Sequence, residues 1–98
     1  MYLKIHETEA GRIVAVCDED LLGQVLTDGK TFLDLKKYED FYNGKKVKSR
    51  QIKAALKSFS SANIVGKESI AAALSTGLVS ESYVKYIKNI PYVQVYKI

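Results

Sequence analysis

Ninety-eight residues, 47% of them apolar, suffice for one domain over 1–98 with one core and leave no room for a second. The longest apolar runs, such as Ile13–Cys17, are a few residues long, which excludes a membrane-spanning helix, and a single cysteine excludes an internal disulfide and points to the cytoplasm. The net charge of +4 divides unevenly: residues 1–40 carry five basic and nine acidic side chains, a net −4, whereas residues 41–98 carry ten basic and two acidic, a net +8.

In chain order, Tyr2–Glu7 alternates apolar and polar positions as a strand does, not as a signal peptide. Gly11 interrupts the pattern, and Arg12–Cys17 resumes it as a more buried run, so the two read as paired antiparallel strands. Asp18 is placed to cap a short helical turn, with Glu19 and Asp20 in its first turn and Gly23 closing it. Asp28-Gly29 between apolar positions predicts a hairpin of strands 24–27 and 30–34. The stretch that follows is turn-rich and pivots at Asn43-Gly44, with Phe41 and Tyr42 buried against the core.

The second half reads as helical. Ile52, Ala55, Leu56 and Phe59 recur at helical spacing behind Ser49, a cap residue. A second helix is expected over 67–76, closed by Gly77, and a third from Ser80 to just before Pro91, with Val79 and Val84 as a staple across its start. Residues 92–96, Tyr-Val-Gln-Val-Tyr, alternate as a last strand. The predicted fold is therefore α+β: a small antiparallel sheet, made of the N-terminal hairpins plus the C-terminal strand, packed against three C-terminal helices. The first and last strands are expected to be neighbours.

The strongest chemical signal is cationic. Lys45, Lys46, Lys48, Arg50, Lys53 and Lys57, with Lys67 beyond them, occur in or beside a stretch from Phe41 to Gly66 that contains no Asp or Glu. At about 100° per residue, Arg50, Lys53 and Lys57 share one helix face opposite the apolar stripe, a spacing suited to phosphates. A solvated lysine-rich face is the plain alternative. Tyr83, Tyr86, Tyr92 and Tyr96 could stack on bases, although half-buried core edges are the commoner use of tyrosine.

Gly66-Lys67 before a helix resembles part of a phosphate loop, but Ser61 stands where that motif needs its first glycine and Glu68 where it needs a hydroxyl. What remains is a turn at Asn63 and Gly66 that could hold one anion or only start a helix. Asp18, Glu19 and Asp20 are consecutive and point in different directions, a poor metal cage, and His6 has no second histidine to share a metal. Cys17 is the best nucleophile on offer, with only His6 as a base; a buried, inert thiol is the plainer reading. No metal or other cofactor is expected.

The motifs MYLKIHET at 1–8, AVCDEDLLG at 15–23, FYNG at 41–44, ANIVG at 62–66 and IPYVQV at 90–95 occur in an order that spans most of the chain. In these the sequence resembles a family of small archaeal proteins of unknown function, about the length of this chain. The resemblance implies an archaeal cytoplasmic protein associated with the translation apparatus, and implies no activity.

The charge split then sets the expected function: a non-catalytic RNA- or ribonucleoprotein-binding accessory protein, associated with the ribosome and contacting phosphates through a basic helix face. The expected partner is RNA or a ribosomal particle, with the acidic half facing solvent or a basic protein surface. A self-associating protein-interaction module is the alternative, and a small-ligand protein or enzyme using Cys17 a third. No membrane partner is expected.

Overall fold

The computed structural model describes residues 1–97. Tyr2–Thr8 (β1) and Gly11–Cys17 (β2) form the expected antiparallel hairpin, with Tyr2 opposite Cys17 and Thr8 opposite Gly11. A 3-10 turn at Glu19–Leu21 leads to Val25–Asp28 (β3) and Thr31–Asp34 (β4), which turn at Gly29 with φ +63°. One helical turn, Glu39–Tyr42 (α1), precedes a two-residue edge strand, Lys45–Lys46 (β5), and the helix Ser49–Ala55 (α2). Then come Ser61–Val65 (β6), Lys67–Leu74 (α3), a 3-10 turn at Glu81–Tyr83, Lys85–Ile87 (β7) and Ile90–Tyr96 (β8).

The expected small antiparallel sheet is corrected to a larger, mixed one. Six strands lie in the order β5-β1-β2-β6-β8-β7, and β3-β4 stand apart as a two-stranded sheet. Three strands go beyond the sequence reading, β5, β6 and β7; β6 is five residues between two helical patterns, too short for periodicity to separate strand from loop. It runs parallel to β2, with Ile13 opposite Ser61 and Cys17 opposite Val65, and antiparallel to β8. First and last strands are thus not neighbours, because β2 and β6 lie between them.

The third expected C-terminal helix is not one. Ser80 caps only the 3-10 turn, its hydroxyl accepting from the Ser82 N–H at 3.3 Å. The chain then pairs β7 with β8 through the two residues Lys88 and Asn89, at φ +48° and +64°. Two successive positive φ values make the twist-matched turn of a tight hairpin, and pairing with β8 prevails over the local helix signals. The three helices are α1, α2 and α3, and α2 ends at Ala55, short of the expected Phe59.

Each face of the sheet carries its own core. Val14, Val16, Ile64 and Val93 meet Ile52 and Leu56 of α2 and Ile70 and Ala73 of α3. On the other face Ala15, Cys17 and Val65 meet Leu21, Leu35 and Tyr42, so the β3-β4 hairpin and α1 form the second cover. Val14–Cys17 is fully buried because β2 is central and covered on both sides, which is why it reads as a continuous apolar run.

Candidate functional site

The Gly66 turn lies where β6 hands over to α3. Gly66 has φ +111°, and a Cβ there would collide with the carboxylate of Asp18. That carboxylate fills the helix start: Oδ2 accepts the Glu68 N–H at 3.1 Å, and Oδ1 accepts the Ser69 N–H at 2.8 Å and the Ser69 hydroxyl at 2.6 Å. Asp18 therefore caps α3, fifty residues away, and makes no side-chain cap to the turn that follows it. The anion that favours the positive end of α3 is the protein's own. Asn63 does not join Gly66; it lies on β6 in the sheet's other cover, beside Gln94.

The basic residues divide. Arg50 and Lys53 are exposed on the outer side of α2 and Lys57 in the turn just past its end, while buried Ile52, Ala55 and the C-cap Leu56 fix the inner side. Lys48 and Lys53 border an open groove of about 520 Å³ between α2 and α3, with Ala71, Ala72 and Ser75 opposite and Glu68 as its one acid. Lys45 and Lys46 are exposed on the sheet edge, and Lys46 Nζ is 2.7 Å from Glu19 Oε1. The hydrogen bond and the attraction of Lys46 hold the Glu19 carboxyl below its usual range and raise the Lys46 ammonium in return. Lys67 leaves the group: it borders a recess with Asp18, Glu19, Asp20 and Glu68. The fold thus brings Lys48, Arg50, Lys53 and Lys57 onto or next to α2, leaves Lys45 on the sheet edge, pairs Lys46 with an acid, and sends Lys67 to the acidic side.

Cys17 is completely buried, and its thiol donates to the Asp18 carbonyl at 3.3 Å. Burial, then the charges of Asp18 and Asp20, push its pKa up to about 12, which leaves no thiolate near neutrality. His6 Nε2 donates to the Phe41 carbonyl at 2.9 Å, and the ring stacks on Phe41 at 4.6 Å, so it braces α1. Among the described residues no group of three or more His, Cys, Asp or Glu could hold a metal. Tyr83, Tyr86 and Tyr96 are exposed, while Tyr92 packs on the second core.

A cleft of about 420 Å³ between the hairpin, α1 and the sheet was not anticipated. Its lining includes Phe32, Tyr38, Phe41 and Tyr42 as rings and Asn63 and Gln94 as amides. The available signal was two amides interrupting otherwise apolar strands, but their adjacency depends on the β6–β8 register.

The comparisons agree with this fold. The crystal structure of an uncharacterized conserved protein from Methanopyrus kandleri superimposes with a TM-score of 0.79 at 29% identity, covering 97% of this chain and 89% of that one. No curated protein matches the chain. The chain belongs to the family described as Protein of unknown function (DUF424), whose profile matches residues 5–98.

Proposed function

We propose that the protein is a non-catalytic RNA-binding accessory factor that grips phosphates along α2 and the groove beside it. The supporting observation is the exposure of Lys48, Arg50, Lys53 and Lys57 on or next to a helix whose opposite side is locked into the core, with Lys45 exposed on the sheet edge. Among the described residues, the two ion pairs within 4 Å are Arg12–Glu7 and Lys46–Glu19, so neither engages these five. Unneutralised cations beside a groove lined by small side chains suit a phosphate backbone, which needs charge and close approach. Among the described residues no helix is long and apolar enough to cross a membrane. A role of this kind belongs to the cytoplasm, with a ribosomal particle as the larger form of the same partner.

A salt titration of single-stranded RNA binding tests this reading. The logarithm of the affinity should fall linearly with that of salt, by about 0.7 per phosphate contact. The triple variant Arg50→Gln, Lys53→Gln, Lys57→Gln should make the slope shallower by about 2. A flat response, or a slope unchanged in the triple variant, overturns it. A salt-sensitive dimer indifferent to RNA would replace it with self-association. Co-sedimentation with ribosomal subunits at low salt distinguishes a particle from free RNA.

A further inference from the structure

We infer that the cleft between the hairpin and the sheet is a binding site for one unpaired nucleobase. The inference is independent of the phosphate surface, which lies on the helices covering the opposite face of the sheet. Asn63 and Gln94 face each other across the β6–β8 ladder and form the polar floor. Cross-strand neighbours stand about 5 Å apart, so the two amides form one continuous array of donors and acceptors. Asn63 is half-buried and Gln94 exposed, both line the cleft, and neither side-chain amide hydrogen-bonds to another described residue.

The walls supply the other half of base recognition. Phe41 and Tyr42 are held edge-to-face, their ring centroids 5.1 Å apart, and Phe41 is fixed from behind by His6. Phe32 and Tyr38 stand at the mouth, 62% and 55% exposed, where large rings in water mark a surface awaiting a partner. Asp34 contributes the one carboxylate, and its Oδ1 already accepts the Lys37 N–H at 2.7 Å. No described Lys or Arg lines the cleft, and the Asp34 carboxylate does, so the lining disfavours a phosphate. A volume of about 420 Å³ falls in the usual range for small ligands. Flat, neutral and edged with donors and acceptors describes a nucleobase, which aromatic rings stack and Asn or Gln amides pair with along an edge.

The side-chain amide resonances of Asn63 and Gln94 provide the readout, observed on the full chain. One arm adds adenosine, guanosine, cytidine and uridine in turn to millimolar concentration; the other adds single-stranded RNA. Shifts of both amides with a nucleoside support the site with a free base as its source, and shifts with RNA alone support it with a base within a strand. Gln94→Ala and Tyr38→Ala alter exposed side chains and should leave the fold intact, yet each should weaken binding at least about fivefold. Arg50→Gln, Lys53→Gln, Lys57→Gln should leave nucleoside shifts unchanged, so failure of the phosphate reading leaves this one standing. Unmoved amides in both arms, or an affinity indifferent to Gln94→Ala and Tyr38→Ala, overturn the inference.

Discussion

At the scale of single residues, Asp18 connects the two halves of the molecule. The residue is 6% exposed, and its carboxylate takes three hydrogen bonds from the first turn of α3. Asp18→Ala would leave the Glu68 and Ser69 N–H groups without their partner, and we expect a loss of about 2–4 kcal/mol, seen as a lower urea midpoint at unchanged slope. Cys17 predicts an alkaline limit. Its folded pKa lies near 12 against an ordinary 9.0, so above pH 9 the unfolded chain gives up a proton that the folded chain keeps. The stabilisation is complete below pH 9 and is lost between about 9 and 12, at about 1.4 kcal/mol per pH unit. Tyr42, buried and also pushed up to about 12, adds to the fall from its ordinary 10.0 upward. Urea midpoints measured from pH 8 to 10.5 should decline, and less steeply in Cys17→Ala.

At the scale of elements, α2 separates structure from charge. Ile52 is fully buried against Val14, Ile64 and the other members of the first core. Ile52→Ala should cost about 2–5 kcal/mol by thermal or urea unfolding, whereas Arg50→Gln should stay within about 0.5 kcal/mol. Lost RNA affinity in the second variant would therefore report contact rather than misfolding. The helix start illustrates how local signals are partly right: the Lys48 N–H is accepted by Gln51 Oε1 at 3.1 Å, and Ser49 is the first helical residue rather than the cap. The Lys88-Asn89 hairpin shows the opposite. Ser80, Val79 and Val84 do mark a start, but one 3-10 turn is all they start, because Lys85, Tyr86 and Ile87 find partners in Tyr92, Pro91 and Ile90.

At the scale of the whole molecule, the two central strands hold the fold together. β2 and β6 have a neighbour on each edge and are covered on both faces. Their amides should be the last to exchange with deuterium, whereas the β3-β4 hairpin, a two-stranded sheet of mostly exposed residues, should exchange early. The sequence by itself determined what depends on neighbours a few residues apart: the first hairpin, the Asp28-Gly29 turn, the apolar side of α2, the cations opposite it and the charge split. Tertiary structure alone decided that a five-residue segment becomes a central strand, that a capped turn opens a hairpin instead of a helix, and that Asp18 closes a helix fifty positions away. It also decided that Asn63 and Gln94 share a floor, and that Lys67 joins the acids instead of the basic helix. Turn chemistry and periodicity act over one or two turns of chain, whereas strand order and register come from burying both faces of one sheet at once, a condition no short window of residues contains.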